Sequence, residues 1–86
     1  MFYVYVLQSI KDRLLYIGST KDLKKRFLEH NSGLVRSTKS RIPFKLVYYE
    51  AFLLEKEARM REKQLKSRGQ ARRLLLARIK ESLALT

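Results

Sequence analysis

Two short apolar runs stand near the start of the chain, Phe2-Tyr3-Val4-Tyr5-Val6-Leu7 and Leu14-Leu15-Tyr16-Ile17. A polar stretch, Ser9-Ile10-Lys11-Asp12-Arg13, joins them, and at Gly18 the apolar period changes. Both runs are rich in β-branched and aromatic residues and contain no helix breaker, so both predict strands. The polar stretch suits a hairpin loop, which makes the pair antiparallel. Ten residues separate Tyr5 from Tyr16, so a hairpin can bring the two rings to one side of the sheet. Gly18 is expected to end the second strand, permitting a sharp turn or the close approach of a backbone or ligand. Ser19 or Thr20 then caps a helix. In that helix Leu23 and Phe27 form a core stripe, with Asp22, Arg26 and His30 as a second row at i, i+4 spacing. Asn31-Ser32-Gly33 stops it.

The remainder repeats the alternation of strand and helix. Residues 34–43 read as a polar, basic loop with no periodicity, closed by Pro43. Phe44 to Phe52 predicts a third strand. From Leu54 the spacing becomes helical, with Leu54, Ala58, Arg61 and Leu65 on one face and Glu62 at its edge. Gly69 is expected to end this helix. A last amphipathic helix over Ala71 to Leu85 carries a stripe of Leu75, Ile79 and Leu83. The expected fold class is α/β (α+β): a small three-stranded antiparallel sheet flanked by three helices. Its 86 residues suffice for one domain, 1–86, with one core.

Charge is the strongest compositional signal. Twenty Lys+Arg against eight Asp+Glu leave a net +12. Such an excess attracts polyanions and speeds their encounter, which points to nucleic acid. Lys24, Lys25, Arg36, Lys39, Arg41, Lys66, Arg68, Arg72 and Arg73 are candidate nucleic-acid-binding residues. The bland alternative is a solvated face. A membrane-surface reading through residues 71–85 is a further alternative, weakened because the charge is not confined to one helix. The chain contains no cysteine, which excludes disulfides, thiolate zinc sites and thiol catalysis. No signal peptide or transmembrane span is recognisable, so the expected location is cytoplasmic, with no membrane partner. From Arg59 to Lys80 there are nine Lys+Arg and one acid, Glu62. A lone carboxylate in so basic a field calls for a reason.

Together these pieces resemble the GIY-YIG nuclease superfamily. The resemblance rests on Tyr3-Val4-Tyr5, then Tyr16-Ile17-Gly18, then Arg26 ten positions after Tyr16, then the segment Glu57-Ala58-Arg59-Met60-Arg61-Glu62. It covers nearly the whole chain and is closest to the short, stand-alone YhbQ-like group, related to the N-terminal nuclease domain of excinuclease. The resemblance implies a GIY-YIG-like fold and an endonuclease that hydrolyses phosphodiester bonds in DNA with little sequence specificity, in DNA repair or recombination. It implies catalytic roles for Tyr5, Tyr16, Arg26 and His30: both tyrosines line the site, Arg26 holds the scissile phosphate, and His30 assists in proton handling. Glu62 matches the glutamate that holds a divalent metal, Mg²⁺ or Mn²⁺.

Physical chemistry makes these roles reasonable. Phosphodiester hydrolysis builds negative charge on equatorial oxygens, which a fixed guanidinium and a metal both stabilise. Mg²⁺ keeps most of its waters, so one carboxylate with substrate phosphate can suffice. A free tyrosine, with a pKa of about 10, is a poor base unless a neighbouring cation helps it. Tyr16 is therefore either the general base or only the group that orients a metal-bound water. The chain departs from the family pattern in three places. Tyr3 replaces the first glycine, Ser19 stands where some relatives carry lysine, and the only asparagine is Asn31 rather than one after the metal helix. These departures leave a second function open, a non-catalytic nucleic-acid-binding module that retains the fold. A monomer or weak dimer is expected, with room for a directing protein partner.

Overall fold

The structure is a computed structural model and describes residues 1–85. Three strands, β1 (Phe2–Ser9), β2 (Leu15–Thr20) and β3 (Phe44–Phe52), form one antiparallel sheet in the order β2-β1-β3. The helices are α1 (Leu23–Asn31), α2 (Glu55–Lys66), α3 (Gln70–Arg78) and α4 (Lys80–Ala84). The architecture is α+β, as the alternating patterns imply.

β1 is central, and its alternation divides the core. Val4 and Val6 are fully buried and pack with Ile17, Ala58, Leu65, Leu75 and Ile79 beneath α2 and α3. Tyr5 and Leu7 point to the opposite face, where they pack with Phe44 and with Leu23 and Phe27 of α1. An uninterrupted apolar run therefore suits β1, because both of its faces are covered. On β2 the same alternation sends Ile17 to the α2 side and Tyr16 to the α1 side.

Several expected boundaries move. β2 begins at Leu15 rather than Leu14 and does not stop at Gly18. It continues through Ser19 and Thr20, which lie opposite Val4 and Tyr3. The adjacent β1 backbone satisfies these residues' polar groups, so the ladder prevails over the turn preference of glycine. The cap of α1 is consequently Asp22, whose Oδ1 accepts from the Lys25 N–H at 3.1 Å. Ser19 and Thr20 do not cap it. Thr20 Oγ1 instead accepts from the Asp22 N–H at 3.1 Å. The end of α1 falls as expected: Asn31 is its last residue, Ser32 is the C-cap, and Gly33 takes a φ of 77° that favours glycine.

α2 ends at Lys66 with Ser67 as C-cap, and Gly69 serves instead as the N-cap of α3. The single last helix is interrupted at Ile79 (φ −104°, ψ 20°), giving α3 and the short α4, with Leu85 outside both. Leu75, Ile79 and Leu83 all still face the core. Ammonium donation from Lys45 on β3 to the carbonyls of Ser82 and Leu85 ties the far end down. Anchoring across the fold, invisible in the local pattern, thus accompanies the break. The basic loop 34–43 is also ordered rather than merely connecting. Val35 and Thr38 are buried, and Lys39–Arg41 form one 3-10 turn.

Candidate active site

Tyr16 and Gly18 are carried on β2, Tyr5 on β1, and Arg26 and His30 on α1. Tyr5 lies opposite Gly18, so Tyr16 is its diagonal neighbour, with ring centroids 6.3 Å apart. A Cβ added at Gly18 would sit 2.5 Å from Tyr5 Oη and 2.7 Å from Cζ. The close approach that glycine permits is therefore made by the Tyr5 ring, laid across its neighbour strand.

The position of Tyr5 is held from the other side by His30. Nε2 of His30 lies 2.9 Å from Tyr5 Oη, and Nδ1 lies 2.8 Å from Thr38 Oγ1. Thr38 directs its own hydroxyl towards the Val35 carbonyl. This network assigns the proton to Nδ1 of His30, which donates to Thr38, while Nε2 accepts from the Tyr5 O–H. Burial, then the nearby Arg26 charge, lowers the His30 pKa to about 4. The imidazole is neutral at physiological pH, and its side chain has no exposure to solvent. Burial likewise raises Tyr5 to about 12 despite the opposing effect of Arg26. Tyr5 is therefore a fixed, neutral phenol. Tyr16 is different: its ring packs 4.9 Å from that of His30, but it is only half-buried.

Arg26 lies beside Tyr5 and pairs with Glu29 one turn on, Nη1 to Oε1 at 3.1 Å. Burial would lower its pKa, but Tyr5 and Glu29 outweigh that and raise it. Arg26 and Glu29 line a cleft of about 350 Å³ with Ser19, Thr20, Lys21 and Lys25. Glu62 arrives at this end of β2 from the opposite face of the sheet. Its Oε1 accepts from Ser19 Oγ at 2.6 Å, and its Oε2 meets Lys66 Nζ at 2.7 Å. Burial pushes the carboxyl pKa up, but Lys66 and Ser19 outweigh it and hold Glu62 below the usual range. Glu62 is therefore an anion at neutral pH, near enough to act electrostatically on Tyr5. Tyr5 thus lies within electrostatic reach of Tyr16, Arg26 and Glu62 together, and Arg26 opens from it into the cleft.

The family model of the GIY-YIG catalytic domain matches residues 1–74. The chain belongs to this family. Its relatives include a UPF0213 protein of Clostridium perfringens, 43% identical over 77 residues that make up 88% of this chain and 82% of that one. Another, from Staphylococcus saprophyticus, is 40% identical over 75 residues, 86% of this chain and 90% of the relative. The solution NMR structure of a UPF0213 protein from Bacillus halodurans superposes with a TM-score of 0.55 at 35% identity, covering 93% of this chain and 86% of that one. This GIY-YIG chain therefore carries an endonuclease-superfamily domain, consistent with a polyanionic substrate.

Among the described residues no group of three or more His, Asp or Glu side chains is arranged to hold a metal. The donor set nevertheless fits a hard divalent ion of the Mg²⁺ kind. Glu62 is ionised, its Lys66 partner is exposed and displaceable, and such an ion needs only one or two protein carboxylates beside substrate phosphate.

The cations expected to touch nucleic acid are dispersed. Lys24, Lys25, Arg36, Lys39, Arg68 and Arg73 are exposed. Lys66 is engaged with Glu62. Arg72 Nη1 donates to the Leu65 carbonyl at 3.1 Å. Arg41 pairs with Asp12 at 2.8 Å and lies 5.4 Å from the Phe44 ring centroid, bracing the β1–β2 turn. Lys21, Arg59 and Thr38 escaped sequence reasoning, as did the bond of Ser19 to Glu62. Lys21 lines the clefts on both sides of the end of β2, and Arg59 lines one of them. The signal for Ser19 was present in the alternation along β2, which sends it to the α2 side with Ile17. Thr38 left no signal, because it sits in an irregular loop eight residues beyond its partner, His30 of α1.

Among the described residues no helix is long and apolar enough to cross a membrane.

Proposed function

We propose that the chain is a divalent-metal-dependent endonuclease that hydrolyses phosphodiester bonds in DNA with little sequence specificity, acting in repair or recombination in the cytoplasm as a monomer or weak dimer. The observation that carries this reading is the gathering of Tyr16, Arg26 and Glu62 within electrostatic reach of one buried phenol, Tyr5. Arg26 receives the scissile phosphate. Its fork matches two phosphate oxygens and stays charged as negative charge develops there. A phosphodiester must displace Glu29 from the guanidinium, and charge-assisted donation to the developing oxyanion favours that exchange. Glu62 would hold the metal in place of its Lys66 contact, where such an ion would supply further charge neutralisation on the phosphate.

In hydrolysis a water oxygen bonds to phosphorus and loses a proton, the bond to the leaving sugar oxygen breaks, and that oxygen takes up a proton from solvent to leave as the hydroxyl. Tyr16 either takes the proton of the attacking water as its phenolate or, as the phenol, only orients that water, a role Tyr5 does not share because it is held neutral. Tyr5 and His30 hold each other in place, with Nε2 of His30 accepting from the Tyr5 hydroxyl. Contacts of this type address phosphate rather than base edges, which agrees with weak sequence preference.

A panel of labelled single-stranded, flapped, branched and duplex DNA, incubated with Mg²⁺ and separately with chelator, tests the reading. Cutting is expected with Mg²⁺ alone. Arg26→Ala and Glu62→Ala should each lower the cleavage rate by about 10²-fold or more while leaving most DNA binding in place, since each removes contacts to the reacting phosphate or metal. Normal cleavage by Glu62→Ala would remove the metal assignment. Binding of every substrate with no cutting would favour a non-catalytic nucleic-acid-binding module.

A further inference from the structure

The sheet face that carries Tyr5 is covered only in part. α1 lies over Tyr5, Leu7, Phe44 and Tyr16. Further along the strands the same face displays Tyr3, which lies opposite Thr20 on β2 and Ala51 on β3, and Tyr49, which lies opposite Tyr5. Neither ring belongs to a core cluster. Tyr49 is 53% exposed, and Ala51 beside it is exposed as well. The two rings meet edge to face, with centroids 6.0 Å apart and an interplanar angle of 61°. This arrangement holds an exposed ring, Tyr49, against a half-buried one, Tyr3.

We infer that Tyr3 and Tyr49 form a stacking platform for unpaired bases beside the cleavage site, so that the preferred substrate is nucleic acid that is single-stranded next to the scissile phosphate. The charge around the platform suits such an occupant. Thr20, the cross-strand partner of Tyr3, lines the cleft that holds Lys21, Lys25 and Arg26 and also the cleft on the α2 side that holds Arg59. A strand whose phosphates follow this basic lip lays its bases towards the open sheet face. Single-stranded nucleic acid is bound elsewhere by this combination of a cationic track with aromatic rings, because every base has a π-face to stack. A base paired in a duplex cannot reach the platform without being unstacked. The inference rests on the endonuclease reading only where it calls the neighbouring edge a cleavage site.

The test is binding in chelator, where no cutting intervenes. A labelled thymidine oligonucleotide and a duplex hairpin with the same number of phosphates are titrated with the wild type and two double variants. Tyr3→Leu with Tyr49→Leu should weaken single-strand binding about ten-fold or more, with duplex affinity little changed. Tyr3→Phe with Tyr49→Phe should bind as the wild type does, because a stacking role needs the ring and not the hydroxyl. In the unmodified protein the ring protons of Tyr3 and Tyr49 should shift upfield in NMR spectra as oligonucleotide is added, a readout independent of any variant's folding. Unmoved ring signals would overturn the proposal. So would a leucine variant that binds both nucleic acids normally or loses both equally, or one that changes only self-association in sedimentation. The two readings fail separately. Stacking without cleavage of any substrate by the wild type would remove the nuclease assignment alone. Arg26-dependent cleavage of flapped and duplex DNA in an unaltered ratio by the leucine variant would remove the platform alone.

Discussion

Gly18 and Tyr5 face each other across two strands at a separation that a side chain cannot share. Gly18→Ala places its Cβ within 2.5 Å of the Tyr5 hydroxyl, and the ring is pinned by His30 on its far side. The expected cost is about 1–3 kcal/mol of stability, as for overpacking elsewhere in a tight core. Thermal unfolding measures it, and an unchanged midpoint would mean that the Tyr5 ring moves freely. His30 makes a pH prediction at the same scale. Its pKa is about 4 folded against an ordinary value near 6.5, so at pH 4–6.5 the unfolded chain binds more protons than the native one. The His30 contribution is therefore fully favourable above about pH 6.5 and is lost as pH falls towards 4, at up to about 1.4 kcal/mol per pH unit. Denaturant titrations across this window should show the decline, and His30→Gln should flatten it.

Among the elements, α1 bears the most weight, because it carries Arg26 and His30 and must be held in register with the sheet. Asn31 at its last turn does this. Nδ2 donates to the Phe44 carbonyl at 3.0 Å, and Oδ1 accepts from the Phe44 N–H at 2.7 Å. The side-chain amide thus continues the sheet's hydrogen bonding at the start of β3. Asn31→Ala leaves both backbone groups without this partner, and a loss of about 1–3 kcal/mol is expected in urea unfolding. The same variant should lower cleavage more than DNA binding, since it loosens the helix that positions Arg26 while leaving the cations in place. An analogous clamp joins α2 to β3. Arg61 donates through Nε and Nη2 to Glu50, whose Oε2 also accepts from Tyr48 Oη at 2.5 Å. These bonds set α2 against the sheet and so fix where Glu62 emerges.

For the whole molecule, a net +12 on 86 residues governs how a polyanion approaches. The charge acts over about 10 Å at moderate ionic strength and is screened by salt. If about five phosphates are contacted on duplex DNA, affinity should fall by a few hundred-fold between about 50 and 200 mM salt. Anisotropy titrations over that range give the slope, and a flat response would remove the basic-surface argument. Part of the charge is nevertheless occupied internally, as Arg41, Arg61, Lys66 and Arg72 show by their bonds to Asp12, Glu50, Glu62 and the Leu65 carbonyl. Counting cations along the chain overstates the surface available to nucleic acid, and Lys21 and Arg59 at the clefts matter more than their neighbours in sequence suggest.

The alternating run at residues 2–7, the return at 15–17 and the four-residue spacings of the helices carried the α+β class and the core stripes, because period and β-branching act over a few residues. The motif spacing carried the family. The boundaries did not follow from local preference. β2 runs through Gly18 because β1 lies alongside to pair with it, and α1 is capped by Asp22 because Ser19 and Thr20 are already in the ladder. The family resemblance nominated Tyr5, Tyr16, Arg26, His30 and Glu62. Which of them stays neutral, which is paired and which faces solvent depends on burial and on partners 25 or 43 residues distant, such as Tyr5 with His30 and Ser19 with Glu62. Those contacts exist only once the sheet has brought its faces together, since desolvation and hydrogen bonding are properties of the packed site and not of the residues in line.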